Sequence, residues 1–570
     1  MTSRASSHSL AGAPSRDDDD PVLSIEHLSV RLPGGGRLLD GVGLEVRRGE
    51  ALVLVGPSGA GKSTLLRALF DPDAMRDEGF TIESRAIVID GSLGLVPQRG
   101  ALFDHLDAAG NVELALRYAD APSGSSSALT PALSDSPSGR TRTEQRARKT
   151  AADRDVAAWL DVVDLDTAWA TTRKPVGELS GGQAQRLAVV RALASGRRVL
   201  FLDEPTTGLD PVRVARLAEQ LRALADDESI ALVAVTHDTA FASALADRVV
   251  LLRDRHLAPI ELPGRPPTGV RSGDVLERTR KRLEEELHRA IEDASPRDEP
   301  RDDRRLARTL LWAYRAWLAP FSIGARAAMS AALHVARRPR DFAHVAVHAL
   351  RQSLIRPLLF YLIVSFLLGA TVLYVLTTFG GDFGPGEAVR IVRGLPMIAL
   401  TPPLSAFLFV AASANAVNAW LGGMRLSRQV TALEALGIPR AHYLWGPCWA
   451  ALVLAYLLVA ALFAFGFLAG SLALCGFYRI DGAWYLLTSD LFDPVPERAP
   501  YRIRAVAIVV FYAIGIASDA VSRADEPKEE ADHVTRAMTR SVVACTLWVA
   551  IVELVSLVLL RNLTGGASPF

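Results

Sequence analysis

The clearest chemistry in the sequence belongs to a glycine-rich loop, GPSGAGKST, at Gly56–Thr64. The loop matches the pattern G-x-x-x-x-G-K-[ST], whose glycines let backbone N–H groups face phosphate oxygens. Lys62 can reach the β and γ phosphates of a nucleotide, and the Ser63 hydroxyl can bind Mg²⁺. The loop therefore predicts a binding site for ATP or GTP. Its predicted nucleotide-binding residues are Gly56, Pro57, Ser58, Gly59, Ala60, Gly61, Lys62, Ser63 and Thr64.

Side chains that could assist phosphoryl transfer follow three other apolar runs. Asp203 and Glu204 end RVLFLDEP, His237 lies at the end of IALVAVTHD, and Gln98 follows a β-rich run. Phosphoryl transfer needs positioned water and charge neutralisation more than covalent help, and these side chains can supply both. A lone glutamine or histidine after a strand is more often a surface or structural residue. The roles of Gln98 and His237 therefore depend on their context.

A second anion-binding feature lies in LSGGQAQRLAVVRALA, at Leu179–Ala194. A Ser-Gly-Gly turn precedes a helical pattern here, and the free N–H groups at a helix N-terminus attract anions. The sequence thus predicts a second turn that could face phosphate.

The elements that must position these groups indicate an α/β domain. Ala51–Gly56 predicts a buried strand of a parallel sheet before the loop, and Leu65–Phe70 begins an apolar-periodic helix after it. Arg198–Pro205 predicts another buried strand, and the run that reaches His237 is expected to be the last strand. Two small antiparallel strands, Leu23–Leu32 and GVGLEVRRGE, are expected before the loop.

In their order and spacing, these blocks resemble the nucleotide-binding domain of ABC transporters over residues 22–262. The resemblance implies a P-loop NTPase fold that binds ATP with Mg²⁺. Where the family normally stacks an aromatic residue on adenine, this sequence has Leu32, so weaker adenine stacking is expected. The resemblance implies that Ser63, Gln98 and Asp203 bind Mg²⁺ and that Gln98 is the catalytic Q-loop glutamine. It implies that Glu204 polarises the attacking water and that His237 is the switch histidine. It also implies a D-loop carboxylate in Asp210 and a signature turn formed by Ser180, Gly181, Gly182 and Gln183.

Length and composition indicate how many domains the chain has and which partners it does not require. Its 570 residues are too many for one core, so at least two domains are expected. The 63 basic and 63 acidic residues balance, which gives no reason to expect a nucleic-acid partner. Hydrophobic residues, 49% of the total, are concentrated in the second part of the sequence. Cys448, Cys475 and Cys545 lie in or beside apolar runs and suggest neither a disulfide framework nor a zinc site.

Three segments lack a core-forming pattern. Residues 1–21 predict a disordered tail rather than a signal peptide, so the nucleotide domain is expected in the cytoplasm. Residues 119–150 are rich in Ser, Pro, Thr and Arg and predict a flexible insertion. Residues 263–305 predict a charged linker that contains a solvated helix at Asp274–Ala294.

Residues 306–570 predict an all-α membrane domain. Leu306–Val335 mixes aromatic residues with arginines, as does an interfacial amphipathic helix, although a buried soluble helix is the alternative. Basic residues lie in alternate loops, which favours a cytoplasmic side for those loops and an outside position for the C-terminus. The five expected spans are Pro357–Phe379, Leu395–Met424, Tyr443–Tyr478, Ala505–Ser518 and Ser541–Leu560.

Three polar residues stand out in these apolar runs, namely Asn415, Asn418 and Glu553. Polar groups in hydrocarbon are costly and usually face a partner or a cavity. Glu553 could equally form a structural pair near the membrane interface.

A second resemblance rests on RLSRQVTALEALGIPR, at Arg425–Arg440, which is similar to the MlaE permease family. In that family this helix docks on the ATPase, which implies a coupling role for Glu434 and Gly437. Val534–Leu560 resembles the family's last span, with Glu553 where an acidic residue commonly occurs.

Together the two resemblances imply a MlaF-like ATPase fused to a MlaE-like permease. The implied protein is a homodimer in the bacterial inner membrane that uses ATP to move lipid, with phospholipid favoured. Its implied partners are an MCE-domain protein outside and a small cytoplasmic regulator. Two alternatives stay open: a signalling ATPase that transmits force to an external protein, and an exporter of another hydrophobic substrate.

Overall fold

The computed structural model describes most of the chain, which divides by its internal contacts into two units. The first comprises Met1–Asp302 with Thr431–Gly437, and the second comprises Asp303–Val430 with Ile438–Phe570. The described residues are 21–119 without 58, 78, 90–92, 99 and 100; 153–261 without 164, 208 and 229; 273–292; 319–379; 387; 389; 391–392; 400–480; 482–485; 487; 499–526; 528; and 531–563. The predicted tail and insertion lie outside this range, apart from Pro21 and Ala119.

The first unit contains two sheets. The described strands are β1 (Pro21–Arg31), β2 (Arg37–Arg47), β3 (Ala51–Val55), β4 (Thr81–Glu83), β5 (Ala86–Ile89), β6 (Leu93–Val96), β7 (Val199–Asp203), β8 (Ala231–Val235), β9 (Arg248–Arg253) and β10 (His256–Ile260). The larger sheet has the order β10-β9-β3-β8-β7-β6, parallel throughout except for β10. β3, β7 and β8 are buried at every position, which explains their unbroken apolar sequences.

The expectation that the strand before His237 is the last one is wrong. β9 follows and pairs with β3, and β10 completes the edge of the sheet. The turn between them contains only Asp254 and Arg255, with φ angles of 50° and 72°. Two-residue hairpin turns with positive φ are usually marked by a glycine at the second central position, as in Asn-Gly or Asp-Gly. Because Arg255 and not glycine follows Asp254, the sequence gives little sign of this hairpin.

The smaller sheet is antiparallel. β1 pairs with β2, as predicted, and also with β4 and β5. Its apolar face and the larger sheet share one core, in which Leu23, Val46 and Phe201 are fully buried.

Helices surround these sheets. They are α1 (Lys62–Phe70), α2 (Pro72–Asp77), α3 (Ala108–Arg117), α4 (153–162), α5 (Trp169–Thr172), α6 (Gly181–Ala194), α7 (Pro211–Glu228), α8 (Thr239–Leu245) and α9 (Gly273–Glu292). α9 lies in the predicted linker, but one face packs against α8. Leu283 is 1% exposed, and Thr239 Oγ1 donates a hydrogen bond to Glu284 Oε1 at 3.2 Å.

The second part of the sequence is helical. Its helices are α10 (Ala319–Arg337), α11 (Pro339–Leu350), α12 (Leu358–Phe379), α13 (Thr401–Phe409), α14 (Asn415–Leu426), α15 (Gln429–Ala435), α16 (Gly446–Phe477), α17 (Ala499–Asp525) and α18 (Ala531–Leu563), with π-helical turns at Arg351–Ile355, Val410–Ala414 and Ala441–Trp445. In the described residues five helical stretches are long and apolar enough to cross a membrane, as predicted: Pro339–Phe379, Thr401–Leu426, Ala441–Phe477, Ala499–Asp525 and Asp532–Asn562.

The fourth stretch is longer than expected at both ends. Arg504 and Asp519 were expected to bound it, yet both are buried within α17. Arg504 forms an ion pair with Glu553, and Asp519 Oδ1 accepts a hydrogen bond from Arg523 Nε at 3.3 Å. Charges can be included in an apolar helix when partners neutralise them, and those partners are not visible from the run itself.

α12 and α16 pack closely against each other through small residues. A Cβ atom at Gly369 would lie 2.0 Å from the Phe467 carbonyl oxygen, and one at Gly470 would lie 1.9 Å from that of Phe366. Ser471 Oγ also donates a hydrogen bond to the Gly369 carbonyl at 3.1 Å. These two helices therefore pack backbone against backbone, as small residues allow in membrane proteins.

α10 covers the described part of the predicted interfacial helix. Its buried face includes Gly324, Ala327 and Ala331, whereas Phe321 and Met329 are exposed. The preceding residues of that prediction, 306–318, lie outside the described range.

Candidate nucleotide-binding site

The phosphate loop connects β3 to α1, as predicted. Gly59 and Gly61 have φ angles of 83° and 112°, which side chains with a Cβ rarely adopt. A Cβ at Gly56 would lie 2.8 Å from the Leu252 carbonyl oxygen, so this position also requires glycine. Gly61 caps α1 without a side-chain hydrogen bond, which leaves the helix N-terminus open to an anion. Ser58 lies outside the described residues.

Lys62 bridges the loop. Its Nζ donates hydrogen bonds to the carbonyl oxygens of Gly56 at 2.5 Å and Pro57 at 3.1 Å. Burial lowers the pKa of Lys62, while the charges of Glu204 and Asp203 oppose that shift. The ammonium therefore lies within the field of both carboxylates, and bound phosphates could replace its carbonyl partners.

Glu204 and His237 come together beside this loop. His237 Nδ1 lies 2.9 Å from Glu204 Oε1, and Thr236 Oγ1 donates to Glu204 Oε2 at 3.3 Å. Glu204 has a left-handed φ of 49°, and its N–H donates to the Val235 carbonyl at 2.8 Å. This backbone position is strained for a residue with a Cβ. The turn after β7 thus holds one carboxylate in a fixed direction between two strand ends.

The residues expected to hold Mg²⁺ fit that ion. Asp203 is buried at the end of β7, and Ser63 lies in the first turn of α1. The described residues contain no group of three or more His, Cys, Asp or Glu that could hold a metal by themselves. Mg²⁺ commonly binds one or two carboxylates together with substrate phosphates and water, so a carboxylate and a hydroxyl suffice here. Gln98 is exposed, and its Nε2 donates to Thr207 Oγ1 at 3.3 Å.

The signature turn caps α6. Ser180 Oγ accepts from the Gln183 N–H at 3.4 Å, and Gln183 Oε1 accepts from the Ser180 N–H at 2.9 Å. The Gln183 side chain is therefore used in a capping box, while Gly181 has open space around its Cα. Asp210 caps α7 through Arg213, with its Oδ1 accepting from the Arg213 N–H at 3.0 Å.

A cleft lies beside the signature turn. It is lined by residues of this turn and of α7, and none of its lining residues among those the structure describes comes from Gly56–Thr64. The signature turn and the phosphate loop thus lie on separate surfaces in the described part of the domain. The lining residues include Ser180, Gly182, Gln183, Leu209, Arg213 and Gln220.

Sequence reasoning missed the threonines that hold the polar side chains. Thr236 and Thr207 bond Glu204 and Gln98, respectively. The sequence signal that could have identified Thr236 is a hydroxyl residue directly after the strand β8. The contact of Thr207 with Gln98 becomes evident only from the fold.

The polar residues of the membrane helices differ in their surroundings. Tyr512 OH donates to Glu553 Oε2 at 2.6 Å, and Arg504 pairs with the other carboxylate oxygen, which matches the structural alternative. Asn418 is fully buried, and neither polar atom of its side chain has a hydrogen-bond partner in the described part of the chain. Asn415 Oδ1 likewise has no hydrogen-bond partner among the described residues.

The predicted coupling residues lie at the end of α15. The Gly437 N–H donates to the Glu434 carbonyl at 2.8 Å, and the Gly437 φ of 75° ends the helix. This segment groups with the first unit.

Family models match both parts of the sequence. Residues 39–207 match the model described as ABC transporter, and residues 346–559 match the model described as Permease MlaE. Residues 173–243 also match an AAA domain described as a putative AbiEii toxin of a type IV toxin–antitoxin system. The chain therefore carries an ABC transporter ATPase domain fused to a MlaE-family permease domain.

Similar curated proteins include the Fe(3+) ions import ATP-binding protein FbpC of Streptomyces coelicolor, which is 38% identical over 43% of this chain and 64% of its own length. The sulfate/thiosulfate import ATP-binding protein CysA of Bordetella parapertussis is 37% identical over 43% of this chain and 64% of its own length. The chain thus spans less than two thirds of these relatives. Among solved structures, a dimeric bacterial ABC transporter cassette aligns over 43% of this chain and 100% of its own, with 24% identity and a TM-score of 0.32.

Proposed function

We propose that this protein is an ATP-driven lipid transporter of the bacterial inner membrane that works as a homodimer. Its ATPase domain would occupy 22–262, a linker 263–305 and the permease 306–570. The observation that carries this proposal is the convergence of Lys62, Glu204 and His237 in a domain fused to a MlaE-family permease. Phospholipid is the proposed cargo, and an MCE-domain protein outside and a small cytoplasmic regulator are the proposed partners.

The proposed hydrolysis uses the residues of the site in separate roles. Lys62 binds phosphate, and Glu204, held by His237 and Thr236, orients water for attack. Ser63 and Asp203 would hold Mg²⁺, which supplies charge neutralisation for the phosphates. Gln98 donates a hydrogen bond to Thr207, in the turn that follows Asp203 and Glu204, and from there its amide can bond to the water.

A homodimer is proposed because the signature turn and the phosphate loop form separate surfaces of one domain. Ser180 lines a cleft to which Gly56–Thr64 contributes no lining residue in the described part of the domain. An isologous two-fold dimer would place the turn of each copy over the nucleotide of the other. Two composite sites would result.

Mixed dimers test this arrangement. A dimer with Lys62→Ala in one copy and Ser180→Arg in the other is expected to retain about half of the wild-type sites, because both defects fall in one composite site. A dimer with both changes in one copy should damage both sites. ATP hydrolysis of purified, differently tagged mixed dimers distinguishes the two. Equal activity of the two dimers, or hydrolysis by a strictly monomeric protein, contradicts the proposal.

The lipid cargo is proposed from the permease domain rather than from the import proteins named above. The alignments with those relatives cover 43% of this chain. The permease model matches a different part, residues 346–559. The first and fifth membrane stretches are the least buried, so they offer wide apolar surfaces to acyl chains. An acyl-chain site needs such surfaces with few polar groups.

Lipid binding and release provide the test of cargo. We expect phospholipid to co-purify with the wild-type protein in mild detergent and to be released when ATP is added. Glu434→Arg is expected to keep the bound lipid and lose at least about 10-fold of the ATP-driven release, since the proposed coupling depends on this helix. Glu387→Arg, an exposed charge outside that helix, is the matched control. Lipid-free protein whose ATPase activity responds only to an external protein would favour the signalling alternative.

A further inference from the structure

A buried arginine lies near the end of α6, the helix that starts at the signature turn. Arg191 is 1% exposed, and its Nη1 donates a hydrogen bond to the Ala101 carbonyl at 2.7 Å. Its guanidinium carbon lies 4.5 Å from the centre of the Phe103 ring, within cation–π range. Burial lowers the pKa of Arg191 to about 9, so the side chain still carries its charge at pH 7. A buried charge is costly unless its contacts compensate, and those contacts are directed at Ala101 and Phe103.

The segment that Arg191 contacts is held from a second side. The Phe103 N–H donates to Asn111 Oδ1 at 2.9 Å, and Asn111 Nδ2 donates to the Phe103 carbonyl at 3.1 Å. Asn111 is itself fully buried in α3. Ala101 has a φ of 40°, a left-handed conformation that a residue with a Cβ seldom adopts without support. Side chains from α3 and α6 therefore fix this backbone.

Gln98 lies between this fixed segment and a strand. β6 ends at Val96, two residues before Gln98, and Ala101 follows three residues after it. Successive Cα atoms are about 3.8 Å apart. The short chain between Val96 and Ala101 therefore limits how far Gln98 can move while those two residues stay in place. We therefore expect a shift of the Ala101 backbone to displace the Gln98 amide.

We propose that Arg191 is a positioning residue for Gln98, because it ties the helix of the signature turn to the segment that carries this glutamine. Its contacts with Ala101 and Phe103 lie on the segment that follows Gln98, and it would act on hydrolysis through that glutamine. This inference rests on the proposed ATP hydrolysis and names a residue that the family resemblance does not assign.

A double-mutant cycle in the full-length protein tests the inference. Arg191→Lys keeps a basic side chain but loses the planar group that stacks on Phe103 and bonds Ala101. We expect it to lower kcat for ATP by about 10-fold and to change KM by less than about two-fold, because no nucleotide contact is lost. Gln98→Ala is expected to lower kcat by about 10-fold or more. In the Gln98→Ala background, Arg191→Lys should lower kcat by less than about two-fold further, since its partner is already gone.

Two further variants separate positioning from folding. Arg222 is another buried arginine of the ATPase domain, bonded to Asp247 Oδ2 at 2.5 Å and the Gly49 carbonyl at 2.8 Å. These partners lie at the amino ends of the strands, away from the phosphate loop. Arg222→Lys should lower the melting temperature but leave kcat per folded molecule within about two-fold of the wild type. Phe103→Leu, which retains Arg191, replaces Arg191→Lys in the same cycle if the latter does not fold.

The outcomes are distinct. Losses of kcat that multiply in the double mutant, or an Arg191→Lys loss no greater than its unfolded fraction, would overturn the positioning role. A wild-type protein without ATPase activity would instead overturn the proposed function, and with it the positioning role that rests on ATP hydrolysis.

Discussion

Glu204→Gln is expected to bind ATP as tightly as the wild type and to hydrolyse it about 100- to 10,000-fold more slowly. The reason is that the proposed role of Glu204, whose carboxylate is held by His237 and Thr236, is to orient the attacking water rather than to hold the nucleotide. Lys62→Ala is expected to weaken ATP binding itself by about 10- to 100-fold, because a charge-assisted contact with phosphate is lost. Nucleotide affinity and steady-state hydrolysis must therefore be measured separately.

Glu219→Gln is the matched control, since Glu219 is an exposed carboxylate on α7 of the same domain. It should change neither affinity nor turnover. If Glu204→Gln hydrolysed ATP at the wild-type rate, the assignment of the water-orienting carboxylate would be wrong.

The second large effect concerns the crossing of α12 and α16. Gly369→Ala is expected to destabilise the permease domain by about 3 kcal/mol or more, because a methyl group would lie 2.0 Å from the Phe467 carbonyl oxygen. The obstacle is backbone, so no side-chain rotation relieves it. Gly470→Ala should have a similar effect at the other end of the contact, at 1.9 Å from the Phe366 carbonyl oxygen. Thermal unfolding in detergent and the yield of monodisperse protein provide the measurement.

Gly423→Ala is the matched control for this crossing. Gly423 also lies in a membrane stretch, but a Cβ there would meet no atom within 4 Å. Its replacement should change stability by less than about 1 kcal/mol, and helix propensity favours a gain. A Gly369→Ala protein as stable as Gly423→Ala would show that the two helices can separate without loss.

The candidate groups of the nucleotide site were chosen from local patterns in the sequence. The phosphate loop, the paired carboxylates after β7 and the Ser-Gly-Gly turn each combine a polar cluster with a flanking apolar run. Parallel strands place their carboxyl ends at one edge of a sheet, so side chains that follow such strands come together. Glu204 and His237 illustrate this, since their strands are neighbours in the sheet.

Features that depend on distant partners were not predictable in the same way. The fourth membrane helix was expected to stop at Arg504 and Asp519, because an unpaired charge cannot enter hydrocarbon cheaply. Their partners Glu553 and Arg523 become evident only from the fold. The role of Arg191 was hidden for the same reason, since its contacts at Ala101 and Phe103 lie about 90 residues earlier in the sequence.

The left-handed backbone at Glu204 has a consequence for how this domain can change over evolution. A residue with a Cβ at such a φ costs about 1–3 kcal/mol, which glycine would largely avoid. Selection for thermal stability alone would therefore tend to remove this carboxylate, whereas selection for turnover would keep it. The position is one where activity and stability oppose each other, and a thermostable variant of this protein would have to gain its stability elsewhere.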